Sequence, residues 1–246
     1  MKYSLMLIFV LFFMVNAHSQ VLISLLLGDK LNSPHLEFGL EGGTNLSIIS
    51  GLQDAKSNVG FNLGFYFDFM FKKNPAWMIN TGVIVKSPMG ADGLAVYSLN
   101  NETLDNVFAG GTVNREIRYF NVPVLIKYKF HNNIYIKGGT QLGLLAKAFD
   151  KFRNEVNNED VLYKSNIRDK IHAVDVGLVL GLGYRINGRN AMNIGIQYYY
   201  GLVPLCKGDI GPNVYNRSFY VTVGIPIGKY KAVKTVAEKK SAEPND

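Results

Sequence analysis

Histidine is the side chain best suited to moving protons near neutral pH. Beyond the first 20 residues it occurs at His35, His131 and His172, far apart in the sequence. Cys206 is the only cysteine, so neither an internal disulfide nor a cysteine-based metal site is available. There is no Gly-x-Ser-x-Gly elbow, no phosphate-binding loop ending in Gly-Lys-Ser/Thr and no His-Glu-x-x-His. His172 is the one candidate base for a lipid-hydrolysing site, but no convincing pair of serine and acid is placed beside it. Asn154 to Asp160 is rich in Asn and acids, yet lacks the spacing of a calcium loop and is expected to be solvated. The expectation is a protein that is not an enzyme, with no catalytic residue, cofactor or bound metal.

The chemistry that remains is charge at alternate positions. Glu37, Glu41, Asp68, Lys127, Lys137, Asp175 and Arg185 each lie on the polar face of a segment whose other face is apolar. Both signs are present, and buried charges persist when they are paired. If the segments close into a barrel, these residues meet in its lumen. A structural polar network that plugs the lumen is the expected role; an ion or proton path is the alternative.

The elements that would position them are strands. In Val59–Phe71, Phe61, Leu63, Phe65, Phe67 and Phe69 occupy the odd positions, against Gly60, Asn62, Gly64, Tyr66 and Asp68 on the even ones. Strict alternation over such a length has period two, which no helix can use. Similar alternation runs through Leu36–Glu41, Trp77–Lys86, Phe120–Phe130, Ile134–Leu144, Val174–Ile186, Met192–Gly201 and Phe219–Ile227, giving eight strands. Tight turns are expected at 72–75, 131–133 and 187–190, an intermediate loop at 51–57, and long polar loops at 87–114, 149–171 and 202–214. Short turns on one rim and long loops on the other is the layout of outer-membrane barrels.

A soluble lipocalin-like carrier would also have eight strands with one apolar face, but its wet exterior would be dense in Lys and Glu. Here the polar face is Gly, Asn, Gln and Thr with scattered charges, suited to a narrow interior that side chains fill. The apolar face is almost free of charge, with Arg118 the exception near a strand end. In hydrocarbon, Arg or Lys costs roughly 2–4 kcal/mol at mid-depth. The fold class expected is therefore all-β, an eight-stranded antiparallel up-and-down transmembrane β-barrel over 35–228. Tyr66, Trp77, Tyr128, Tyr184, Tyr198 and Tyr200 are expected to form girdles at the membrane interfaces.

The ends carry the remaining signals. Lys2, the apolar run Leu5–Val15 and Ala17-His18-Ser19 form a cleavable export signal over 1–19. A periplasmic lead (20–34) contains the apolar patch Val21–Leu27, and a basic periplasmic tail occupies 229–246. The formal charge of +7 is spread along the chain rather than concentrated. It is read as a surface that meets anionic lipid, not as a nucleic-acid footprint. The expected partners are outer-membrane lipid and periplasmic or outer-membrane proteins.

Several segments resemble the PorT-like family of outer-membrane β-barrels from Bacteroidetes. They are Gly39-Leu-Glu-Gly-Gly-Thr-Asn-Leu46, Tyr119-Phe-Asn-Val-Pro-Val-Leu-Ile-Lys-Tyr128, Gly138-Gly-Thr-Gln-Leu-Gly-Leu-Leu145, Asp175-Val-Gly-Leu-Val-Leu-Gly-Leu-Gly-Tyr184 and Gln197-Tyr-Tyr-Tyr-Gly-Leu202. The resemblance covers about residues 35–228 and implies an integral barrel of the cell outer membrane, without specifying an activity. The namesake of that family belongs to the type IX protein secretion machinery, so an accessory role in secretion is implied as an alternative. A narrow channel and a soluble carrier are weaker alternatives.

Overall fold

Alternating side chains leave each strand with one face for the interior and one for the surroundings, and closure removes the unpaired edges. The computed structural model describes residues 33–52, 55–186, 191–208 and 213–227. The export signal, nearly all of the lead, the turn at 187–190 and the basic tail lie outside the described residues.

The strands are β1 (Leu36–Ser50), β2 (Lys56–Met70), β3 (Trp77–Lys86), β4 (Pro88–Leu94), β5 (Thr112–Lys129), β6 (Ile134–Val156), β7 (Glu159–Asn166), β8 (Val174–Arg185), β9 (Asn193–Gly201) and β10 (Tyr215–Pro226). A short helix, α1 (Glu102–Phe108), lies between β4 and β5. Eight staves close the ring in the order β1, β2, β3, β5, β6, β8, β9, β10, with β10 pairing back onto β1 and every pairing antiparallel. β4 continues the β3 stave beyond Ser87 and pairs with β2 and β5, while β7 folds back on the upper part of β6.

The register fixes the shape of this ring. Direct partners run Glu37, Asp68, Asn80, Leu125, Gly139, Val179, Tyr199, Ser218 and then Ser47, so one circuit returns ten residues further along β1. Ten residues at ~3.3 Å against eight spacings of ~4.8 Å give a strand tilt of about 41°. Phe69 to Val59 of β2 then rises about 25 Å, the height of a lipid-facing band. Outward residues on this stretch are exposed, including Phe61, Leu63 and Phe65, as are Leu180, Ile196 and Val221 on the far side. Inside, glycines make room for tyrosines: a Cβ on Gly39 would lie 2.3 Å from Tyr66, and one on Gly183 2.3 Å from Tyr135.

Three expectations are corrected. The segments 87–114 and 149–171 are not simply loops. The first holds β4, α1 and the start of β5; the second holds the end of β6, then β7 and a short 3-10 turn at Arg168–Lys170. Asn157 and Asn158 have φ of 55° and 62°, and they link register partners Val156 and Glu159. This is a two-residue hairpin turn of the kind that needs positive φ at both positions. The first strand is also longer than expected, continuing to Ser50 through the Gly42-Gly43 pair. Tyr66 joins no girdle: it shares the inward parity of Asp68 and is buried against Glu37, because its hydroxyl donates to that carboxylate at 3.0 Å.

Trp77, Tyr128, Phe130 and Tyr184 do stand outward at the short-turn rim, with Trp77 and Tyr128 rings 4.7 Å apart. Tyr198 and Tyr200 stand outward on β9.

Candidate functional site

The lumen near the short-turn rim gathers most of the charged residues singled out above. Glu37 and Asp68 are direct register partners on β1 and β2, and Lys127 and Lys137 are direct partners on β5 and β6. Like charges so placed repel, and here each finds its opposite across the barrel. Arg185 donates through both terminal nitrogens to Glu37, at 3.0 and 2.8 Å. Lys127 Nζ donates to Asp68 Oδ2 at 2.7 Å, and Asn80 Nδ2 to Asp68 Oδ1 at 2.7 Å. Lys137 Nζ lies 3.7 Å from Glu41 Oε2. Tyr66 receives a bond from Asn193 Nδ2 at 3.3 Å, and Lys127 sits 4.4 Å from the centre of the Tyr135 ring. All of these charged groups are buried except Glu41, which is half-buried.

Asp175 lies apart from this layer, higher on β8. Its Oδ2 accepts from Asn216 Nδ2 at 2.8 Å, and no ion pair reaches it among the described residues. Around it stand Tyr119, Tyr199 and Tyr220, all buried; the Tyr220 hydroxyl meets Ser87 Oγ at 3.2 Å.

A third layer closes the long-loop end. Arg115 of β5 grips Asp150 of β6 with Nε and Nη2 at 2.8 and 2.7 Å, and the Tyr97 hydroxyl donates to the same carboxylate at 2.8 Å. Burial and the Asp150 carboxylate push the Tyr97 hydroxyl well above its ordinary pKa. Around this pair lies an apolar cap that includes Phe108, Ile171 and Leu205, with Phe152 one step above it and Met89 and Ile117 one step below. α1 delivers Phe108 to it, with the Asn101 side chain capping the helix by accepting from Leu104 N. The strap before α1 is tied by Asp105, which accepts from Leu99 N and Ser98 Oγ, both at 2.7 Å. Those two donors hold its carboxyl below the ordinary range.

Arg115, Asp150, Tyr97 and the tyrosine cluster were missed from sequence. The alternation does continue through Val113, Arg115, Ile117 and Tyr119, and through Ala148, Asp150 and Phe152. The polar composition of 87–114 and 149–171 hides it. The other candidates are not brought together. His172 Nδ1 is 2.7 Å from Pro204 O, and Asn154 Nδ2 donates to Val107 O and Ala109 O. Among the described residues, no group of three or more His, Cys, Asp or Glu is placed to hold a metal ion.

A family model described as "Outer membrane protein beta-barrel domain" matches residues 31–207. The chain is similar to the crystal structure of Ail, the attachment invasion locus protein of Yersinia pestis, at 15% identity and a TM-score of 0.40, over 78% of this chain and 99% of that one. It is similar to Neisserial surface protein A at 11% identity and a TM-score of 0.38, over 78% and 96%. It is also similar to OprG from Pseudomonas aeruginosa at 14% identity and a TM-score of 0.36, over 78% and 93%. No curated protein matches the chain by sequence.

Proposed function

Because the chain belongs to the outer membrane protein β-barrel domain family, we propose that it is an integral outer-membrane protein with a sealed lumen, acting through its rims as a membrane-anchored structural or binding protein. The short turns then face the periplasm and the β4–β7 extension faces outward. One observation carries the reading: the lumen is filled in successive layers, first by the Glu37–Arg185, Asp68–Lys127 and Glu41–Lys137 pairs and then by the apolar cap around Phe108 and Phe152. On this reading the lumenal charges are a structural plug. A narrow conductive path would need water past both layers. Purified barrel inserted into planar bilayers is expected to give no unitary current steps; reproducible steps from the folded chain would overturn the sealed lumen.

A finer reading is supported by the PorT-like strand motifs, above all Tyr119–Tyr128 and Asp175–Tyr184. On it the protein is an accessory of type IX secretion that docks through the apolar patch at 21–27 and the basic tail at 229–246. Recovery of secretion components from gently solubilised membranes, lost when the tail is deleted, is the expected result; an unchanged set of co-purifying proteins would remove this reading.

A further inference from the structure

The outward face changes character at the long-loop end of the apolar band. On β5 the outward residue above Phe120 is Arg118; on β6 the series Leu142, Leu144 gives way to Lys147; on β3 Val85 is followed by the exposed Lys86. These three staves are neighbours in the ring. Arg118 and Lys147 are direct register partners. Further up, Lys151 of β6 and Lys164 of β7 are direct partners as well. Two like-charge pairs are thus stacked on adjoining strands, an arrangement that destabilises a sheet unless an anion intervenes. Glu116 is the one carboxylate bonded to this group among the described residues, sharing itself between Arg118 Nε and Lys151 Nζ. Lys86, Lys147 and Lys164 make no ion pair among the described residues. Lys164 and Lys86 instead lie 3.7 and 5.5 Å from the ring centres of Phe149 and Phe61.

We propose that this arc of Lys86, Arg118, Lys147, Lys151 and Lys164 binds the phosphate-bearing headgroup of a glycolipid in the outer leaflet. The inference rests on the outer-membrane placement above. Position selects the occupant: Arg118 and Lys147 sit where the apolar band ends, Lys86 reaches toward them from within the band beside Phe61, and Lys151 and Lys164 stand above, so a molecule whose chains lie against Phe120 and Leu144 brings its headgroup to Arg118 and Lys147. Charge selects its chemistry. Five cations and one carboxylate leave an excess that phosphate oxygens match, with the Arg118 guanidinium as a fork and the lysines as point charges. Binding would also relieve the repulsion between the two register pairs.

The test uses the full mature chain, refolded in nonionic detergent and checked for a heat-modifiable band. It is titrated with a bisphosphorylated glycolipid or with the same glycolipid after phosphatase treatment. Each cation near an anionic surface contributes about five-fold, so the phosphorylated form should bind at least about ten-fold more tightly, and R118Q/K147Q/K151Q should lose on the order of a hundred-fold. K72Q/K73Q, at the opposite rim, should bind as the parent does. E116Q, which adds net positive charge at the arc, should bind a few-fold tighter, and this arm decides the matter if the triple variant does not fold. Equal affinity for the two glycolipids, or a folded triple variant with parental affinity, would overturn the proposal. Full displacement by millimolar inorganic phosphate would overturn the lipid as occupant. The bilayer-current experiment is independent of all these arms, so failure here leaves the sealed barrel standing.

Discussion

Replacing Lys127 by Met removes one charge from the lumen while keeping the length of the side chain. Lys127 and Asp68 are both almost fully buried, and their contact is 2.7 Å. At an effective dielectric of ~20 the attraction at that distance is about 6 kcal/mol. Much of this offsets the cost of taking both ions out of water, so the pair itself adds little net stability. The loss of one partner is different. Asp68 would keep the Asn80 amide but stay buried beside Glu37 with no cation on it, and orphaning a buried charge in this way costs about 3–5 kcal/mol. Asp68→Asn should cost a similar amount by orphaning Lys127 next to Lys137. The double variant should recover to within about 1–2 kcal/mol of the parent, because no lone charge remains. Reversible urea unfolding in lipid vesicles, on all four proteins, measures the cycle. Additive single costs, or a Lys127→Met cost below about 1 kcal/mol, would refute the claim that the lumenal charges are mutually compensated.

Other perturbations probe other layers. A Cβ on Gly195 would lie 2.5 Å from the Tyr135 hydroxyl. Gly195→Ala should therefore cost about 1–3 kcal/mol, and adding Tyr135→Phe should return most of it in the same unfolding assay. Asn158 has φ of 62° in the β6–β7 turn; Asn158→Val should open the hairpin to protease added outside intact cells, whereas Asn158→Gly should leave it resistant. The hydrogen bonds that lower the Asp105 carboxyl stabilise the strap before α1 only while it is ionised. That contribution is present in full above the ordinary carboxylate range near ~4 and is lost as the pH falls through the lower folded-state value. Hydrogen exchange at the Leu99 amide should be equally protected at neutral and mildly acidic pH and lose protection only in strong acid. In Asp105→Asn that step should vanish.

The centre of each strand was legible because alternation is a local property. Phe61, Leu63 and Phe65 against Asn62 and Gly64 can point only one way once a closed sheet is assumed. The ends are less legible, because polar composition marks loops and strand ends beyond the membrane alike. Asn157-Asn158 sits in the most polar stretch of the chain, yet it is the turn that lets β6 and β7 stand as a hairpin. Arg115 and Asp150 lie inside or beside polar segments that read as loops, and with them goes the ion pair set within the cap. Tyr66 was misplaced by chemistry overruling parity: tyrosine suits a membrane interface, but its even position had already sent it inward. Which carboxylate meets which cation was beyond the sequence altogether. Parity says that Glu37 and Arg185 both face the lumen; only the ten-residue stagger of the closed ring brings β8 opposite β1 at the same height.

The same register produces two opposite situations on the two faces of the wall. Inside, Glu37 beside Asp68 and Lys127 beside Lys137 are repulsive pairs, and the narrow lumen supplies the compensation by placing the pairs within reach of opposite charge. Outside, Arg118 beside Lys147 and Lys151 beside Lys164 are repulsive in the same way, but a convex surface has no far wall to answer them, and among the described residues Glu116 is the one carboxylate paired with them. A sheet retains such pairs at a cost unless a counter-charge comes from outside the polypeptide. At the upper edge of an apolar band that counter-charge has a natural source in the membrane. Neutralising the arc should then stabilise the barrel in a neutral detergent, where repulsion goes unanswered, and destabilise it in anionic-glycolipid vesicles, where the same cations are engaged. A variant whose stability moved in the same direction in both surroundings would show that the outer cations answer to something within the chain.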